Sequence, residues 1–231
     1  QPCSSAASDV YKRQIQNLAK KKNWLFDLDN TLYSPNLGIF SQIDERMKKF
    51  ISKKLELSET KSFILQKNFY KKYGTTLYGL MKHYEVDPQE FCNYVHNINL
   101  KNLKHSKSLR SKLQALPGRK IIYTNGDYKY AKKILRCLGI EDQFLDIFDI
   151  TKSNYIPKPM KSSLNKLIKQ YELNPLETAY FDDLEKNLMS ASLKGFTTIH
   201  ISEKSSSESQ SYIDFRFKTV INALDMISKV L

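Results

Sequence analysis

Cysteine is scarce in this chain: Cys3, Cys92 and Cys137 are all there is in 231 residues. None forms a CxxC pair and no histidine cluster lies beside them. An odd, scattered set argues against a disulfide framework and against a zinc-ligand pattern, and it suits reduced thiols in a cytoplasmic protein. No apolar run approaches the length of a membrane span, so a membrane partner is not expected. Residues 1–14, QPCSSAASDVYKRQ, contain no apolar h-region and do not read as a secretory signal. That stretch resembles a translated adaptor and is expected to be a non-native or disordered tail. Internal repeats are missing too, and basic residues are not gathered into one block. The net charge is +13, from 37 basic and 24 acidic residues. It is spread as lysine pairs (Lys48–Lys49, Lys53–Lys54, Lys71–Lys72, Lys132–Lys133) that read as solvated helix faces. With no nucleic-acid module visible, a basic surface of this kind is expected to draw small anionic substrates toward a cleft.

What is present is an apolar fraction of 41%, enough for a packed core. The most informative decapeptide is WLFDLDNTLY at 24–33. Trp24, Leu25 and Phe26 suit a strand buried on both faces of a parallel sheet, and such strands deliver functional groups at their carboxyl ends. There the chain turns to Asp27–Leu28–Asp29. Two carboxylates two residues apart need a cation or a shared proton. A Mg²⁺ ion meets that need and leaves positions for phosphate. Asp27 is then placed as a nucleophile and Asp29 as a general acid and base.

Downstream the chain alternates. Helices are expected over about 40–55, 59–74, 76–84 and from Pro88, with no strand among them. Strands follow near 120–123, 148–150, 178–181, 197–201 and 213–217, interleaved with helices at 106–116, 128–138, 160–171, 187–194 and from 219. Strand–helix alternation implies right-handed crossovers and a doubly wound parallel α/β sheet. The core is expected from 15–36 and 105–231, and residues 37–104 form an all-helical insertion.

Three further groups fall at the same sheet edge. Thr124–Asn125 follows IIY and offers a hydroxyl and free backbone N–H groups to a phosphate. Lys158 stands between Pro157 and Pro159, whose rings limit where its ammonium reaches. Asp182–Asp183 ends TAYF and adds carboxylates for a metal. Asn187, one turn into the next helix, is placed to orient a ligand from behind.

DLDNT, TN, KP and DD, in this order, resemble the four motifs of the haloacid-dehalogenase-like (HAD) phosphohydrolase superfamily, over residues 22–231. The resemblance implies a Rossmann-like core with a helical cap and Mg²⁺-dependent hydrolysis of phosphate monoesters through an aspartyl-phosphate. It makes Asp27 the nucleophile, Asp29 the acid and base, Thr124 and Lys158 the phosphoryl-binding groups. Asp27, the Asp29 carbonyl and Asp183 would hold Mg²⁺, with Asp182 as an additional ligand. FDLDNTLY, FYKKYGTTLYGL, TNGDYKYAKKILRCLGI and FDDLEKN further resemble the pyrimidine 5′-nucleotidases, which implies UMP- or CMP-like nucleoside monophosphates as substrates. Cap residues that would then meet base or ribose are Lys72, Tyr73, Tyr78 and His83. Asn187 stands where many relatives have Asp, and Leu184 where Ser is frequent. Three alternatives remain. A sugar-phosphate phosphatase or phosphomutase uses the same scaffold. A haloacid dehalogenase would not need the second acid and the closing acid pair. A basic nucleic-acid-binding protein would carry the acids without hydrolysis.

Overall fold

The computed structural model describes residues 15–18, 20–203 and 210–229; the tail reading of 1–14 and the Ser-rich stretch 204–209 lie outside these. Six strands form one sheet: β1 (Asn23–Phe26), β2 (Arg119–Tyr123), β3 (Asp146–Phe148), β4 (Thr178–Asp182), β5 (Thr197–Ile201) and β6 (Phe215–Phe217). Their order is β3-β2-β1-β4-β5-β6, and every pairing is parallel. The chain thus winds outward from β1 in both directions, as the strand–helix alternation implies.

Every residue of β1 is buried. Because successive side chains alternate, Trp24 and Phe26 face one layer and Leu25 the other. Phe26 stacks on Phe181 of β4 with ring centroids 4.4 Å apart. Trp24 Nε1 donates to the Pro117 carbonyl at 2.6 Å, which satisfies the indole within the core.

Between β1 and β2 the chain is helical: α1 (Ile39–Leu55), α2 (Glu59–Tyr73), α3 (Thr76–Tyr84), α4 (Pro88–Val95) and then α5 (Lys107–Ala115). The caps explain the boundaries. Ser58 and Thr75 accept the first free amides of α2 and α3, and Asp87 with Pro88 opens α4. After β2 come α6 (Tyr128–Leu138), α7 (Lys161–Tyr171), α8 (Glu185–Ser192) and α9 (Val220–Ser228). No helix among the described residues is long and apolar enough to cross a membrane.

Three elements start two residues from where they were expected, among them β6, which begins at Phe215 and not near 213. The third strand begins at Asp146, two residues before the apolar stretch that suggested it. Asp146 pairs with Ile121 in the ladder, and its carboxylate is held by Lys152 Nζ at 2.7 Å and the Tyr171 hydroxyl at 2.8 Å. An acid with two donors tolerates a strand position that its charge disfavours. The helix after β4 starts at Glu185, not Asn187, which moves Asn187 into its first turn.

Gly74 and Gly79, within the YGTTLYG stretch, have packing tasks. Gly74 has φ +88°, and a Cβ there would lie 2.9 Å from the Lys158 carbonyl oxygen. A Cβ on Gly79 would lie 2.3 Å from the Phe69 ring, so its absence lets α3 press against α2. Gly74→Ala is expected to lower stability by about 1–2 kcal/mol from backbone strain, plus the displacement of the Lys158 loop. Gly38→Ala, at φ +68° with nothing within 4 Å, should show the strain alone. Urea denaturation of the two variants separates the contributions.

Candidate active site

The central strands β2, β1 and β4 end side by side, and their carboxyl ends bring the acids and Thr124 together. Asp27 N donates to the Phe181 carbonyl at 2.8 Å, continuing the ladder one step beyond β1. Carboxylate oxygens of Asp27, Asp182 and Asp183 lie within 4.8 Å of one another. Asp27, Asp29, Thr124, Asn125, Lys158, Asp183 and Asn187 all line one cavity of about 260 Å³.

Lys158 is the hub. It is 2% exposed, and its ammonium donates to Asp27 Oδ1 at 2.6 Å, the Tyr123 carbonyl at 2.8 Å and Asp182 Oδ2 at 2.9 Å. Three acceptors use its three donors. Burial alone would lower its pKa, but the Asp182 and Asp27 carboxylates outweigh that and hold it above the usual lysine range. Asn125, expected at the substrate, spends its amide on the lysine's main chain. Its Oδ1 accepts the Lys158 N–H at 2.8 Å and its Nδ2 donates to the Lys158 carbonyl at 3.3 Å. Thr124 Oγ1 accepts the Gly126 amide at 2.9 Å, which aims the hydroxyl within the turn after β2.

Asp182 is fully buried and rich in donors. Leu184 N, Asn187 Nδ2, Lys158 Nζ and the Tyr180 hydroxyl all donate to its two oxygens. Asn187 therefore acts on Asp182, bonding both oxygens at 2.9 and 3.0 Å. Asp183 is fixed through its main chain. His200 Nε2 donates to its carbonyl at 3.0 Å, and Arg216, itself paired with Glu185 at 2.8 Å, donates to His200 Nδ1 at 2.9 Å. Burial chiefly, with Arg216 adding to it, keeps this imidazole below its ordinary pKa.

The composition-based reading missed several site groups. Thr31 donates to Asp27 Oδ2 at 3.0 Å. Two phenols converge on Asp29 Oδ1: Tyr130 at 2.6 Å and Tyr33, a shorter contact. Burial and the Asp29 charge push both phenols far above ordinary tyrosine, so they remain donors. Tyr33 sits four residues after Asp29, a spacing that offered a signal; Tyr130 is 101 residues away and offered none.

The far walls of the cavity come from α1 and α2, with Phe40, Ile43, Met47, Gln66, Lys67 and Tyr70 among them. Lys72, Tyr73, Tyr78 and His83, expected near a base, are not part of its lining. Tyr73 and His83 hydrogen-bond each other at 2.6 Å on the surface instead. Lys186 Nζ of α8 lies 4.1 Å from the Tyr70 ring centroid, linking helix to framework beside the cavity.

These features define a hydrolase site on a parallel α/β sheet. A model of the haloacid dehalogenase-like hydrolases matches residues 22–192, and the chain belongs to that family. Phosphate metabolism protein 8 of Saccharomyces cerevisiae is 26% identical over 210 residues, an alignment that takes 84% of this chain and 65% of that protein. This chain thus spans 65% of that relative's length. Among solved structures, the HAD phosphatase from Thermococcus onnurineus superposes with a TM-score of 0.61 at 19% identity, over 90% of this chain and 97% of that one. The HAD-hydrolase YfnB from Bacillus subtilis, bound to magnesium, gives 0.60 at 14%, over 90% and 99%. An L-2-haloacid dehalogenase from Xanthobacter autotrophicus, with chloropropionic acid covalently bound, gives 0.59 at 12%, over 91% and 100%. At such identities the likeness speaks for the fold.

The acid cluster has an electrostatic signature. Burial pushes the Asp27 carboxyl up to about 7, with Lys158 opposing and the Asp182 and Asp29 charges adding. Burial and the same carboxylate crowding push Asp183 up to about 8. Both bind protons more tightly folded than unfolded. Their stabilising contribution is complete below about pH 4 and is lost as pH rises through about 7 to about 8. The melting temperature of ion-free protein should therefore fall across that window, and a flat profile in differential scanning calorimetry would contradict the assignment.

Proposed function

We propose that the protein is a Mg²⁺-dependent phosphatase of small phosphate monoesters, with pyrimidine nucleoside monophosphates as the preferred class. The observation that carries this is the buried Lys158 ammonium shared by Asp27 and Asp182 at the floor of the cavity. A cation and a nucleophile in contact at the end of β1 suit an anionic group that must be both neutralised and attacked.

Whether the residues fit a divalent ion is tested by their charge. Three carboxylates within 4.8 Å face one lysine, and burial first, then their mutual repulsion, raises the pKa values of two of them despite that lysine. The donor set is all oxygen, which suits Mg²⁺. Asp27, the Asp29 carbonyl and Asp183 would hold the ion, with Asp182 within reach although its oxygens already accept hydrogen bonds. When bound, it would neutralise phosphate oxygens and lower the Asp27 pKa.

The residues then divide the work. An Asp27 oxygen attacks phosphorus as the ester oxygen leaves, forming an aspartyl-phosphate. Lys158 and Thr124 stabilise the transferring group. Asp29 gives its proton to the leaving alkoxide and then takes one from the water that cleaves the acyl-phosphate. Tyr33 and Tyr130 hold the Asp29 carboxylate in place for both steps. The helical stretch 37–104 serves as the cap that shields the reaction from bulk water. The aromatic walls at Phe40, Tyr70 and Phe91, with the polar Gln66 and Lys67, support a planar base with hydrogen-bonding edges.

Phosphate release from nucleoside monophosphates, sugar phosphates and p-nitrophenyl phosphate, with and without Mg²⁺, tests the reading. Hydrolysis should require the ion and favour UMP or CMP; activity unaffected by chelation would count against it. Asp27→Asn should lose about 10⁴-fold or more in kcat with the fold intact by circular dichroism, although the weakened contact to Lys158 lowers stability. Tyr33→Phe/Tyr130→Phe should slow alkyl phosphates, whose leaving group needs a proton, at least about tenfold more than p-nitrophenyl phosphate. Equal losses on both esters would assign the phenols to packing alone.

A further inference from the structure

One group of side chains takes no part in phosphoryl transfer yet carries the donors of a transition-metal ligand set. Cys92 on α4 and His96 just past its end are four residues apart and share a helix face. Asp127, the N-cap of α6, meets them from the sheet framework. The Cys92 sulfur, a His96 ring nitrogen and an Asp127 carboxylate oxygen lie within 4.8 Å of one another.

The surroundings favour a cation. Cys92 is 2% and Asp127 6% exposed. Burial pushes the Cys92 thiol up to about 12, and the charges of Asp127, Asp149 and Asp87 act in the same direction. The field at the sulfur is therefore negative, and a divalent ion reverses the balance. His96 Nδ1 already points at Asp127 Oδ2. Its ring is stacked on Tyr130 with centroids 4.4 Å apart and planes 13° from parallel, which fixes its orientation. Cys92 and His96 both line the cavity, so a ligand from solvent can complete the coordination.

We propose that Cys92, His96 and Asp127 form a second cation site, specific for a borderline-soft divalent ion of the zinc class. Thiolate, imidazole and carboxylate suit such an ion, whereas Mg²⁺ prefers the all-oxygen cluster at Asp27. Binding releases the Cys92 thiol proton to solvent, leaving a thiolate, and His96 coordinates through Nδ1 as a neutral imidazole that carries its proton on Nε2. The cysteine spacing gave no zinc pattern because the third donor comes from another element, 31 residues beyond His96. An ion here ties α4 to α6, joining the helical insertion to the framework.

Co²⁺ is the probe, added to the full chain with excess Mg²⁺ present. The expected result is a near-ultraviolet thiolate-to-cobalt charge-transfer band that one equivalent of Zn²⁺ removes. Cys92→Ser should abolish the band and His96→Ala should weaken binding about tenfold or more. Asp127→Asn, which keeps a capping side chain for α6, should do the same without unfolding the protein, as circular dichroism would verify. Cys137→Ser should leave the spectrum unchanged. No band in the parent, or a band that survives Cys92→Ser, overturns the proposal. The readout is independent of turnover, so a protein that hydrolyses no phosphate ester would refute the phosphatase reading and still decide this site.

Discussion

A single ammonium, buried among carboxylates, sets the terms for the rest of the structure. Lys158 cannot be withdrawn from water without acceptors for each of its protons, and Asp27, Asp182 and the Tyr123 carbonyl supply them. Breaking a buried pair of this kind by removing one partner typically costs about 3–5 kcal/mol. The local architecture follows from that demand. Asn125 grips the lysine's main chain from both ends of its amide, and Pro157 and Pro159 flank it. The Tyr123 and Tyr180 rings lie 5.1 and 5.7 Å from the ammonium. Asp182, saturated by hydrogen bonds, holds the cation in place more than it reaches outward.

The helical insertion meets this centre at three joints, each with a different physical basis. Gly74 lets backbone approach the Lys158 carbonyl where any side chain would collide. Tyr70 receives the Lys186 ammonium on its face. His96 bonds Asp127 and lies flat on Tyr130, whose hydroxyl reaches Asp29. The insertion thus touches both the lysine's loop and, through Tyr130, the second acid, by packing and hydrogen bonds.

Much of this was legible in the residues, and the boundary between legible and hidden has a physical cause. WLF followed by two acids announces a buried strand with charge at its end, because only a parallel sheet covers both faces of such a run. Thr124, Lys158 and Asp183 were singled out by the same logic, each at the end of an apolar stretch or held between prolines, and the fold brings them to one cavity. The partners that hold those groups were not found. Tyr130 reaches back 101 residues to Asp29, and Asn125 reaches forward 33 residues to Lys158. Local pattern carries no information about pairings that exist only after the strands have been ordered. The same limit explains the third strand, where Asp146 is admitted by Lys152 and Tyr171. It also explains the choice of Tyr73 and His83 as base contacts, since helix periodicity does not tell which face turns toward the cavity.

The cavity is walled from two sources. Its reactive end is built from strand termini and the Lys158 loop, while Phe40, Met47, Gln66, Lys67 and Tyr70 of α1 and α2 enclose the opposite end. No group of the second set touches Asp27 or Lys158 by any hydrogen bond found among the described residues. The groups proposed for bond-making and those proposed to face the guest thus sit on different elements of one chain. Met47 and Lys67, which belong to none of the three joints, can be exchanged to reshape the chamber while the floor beneath keeps its bonds, whereas Tyr70 and Gly74 answer to both.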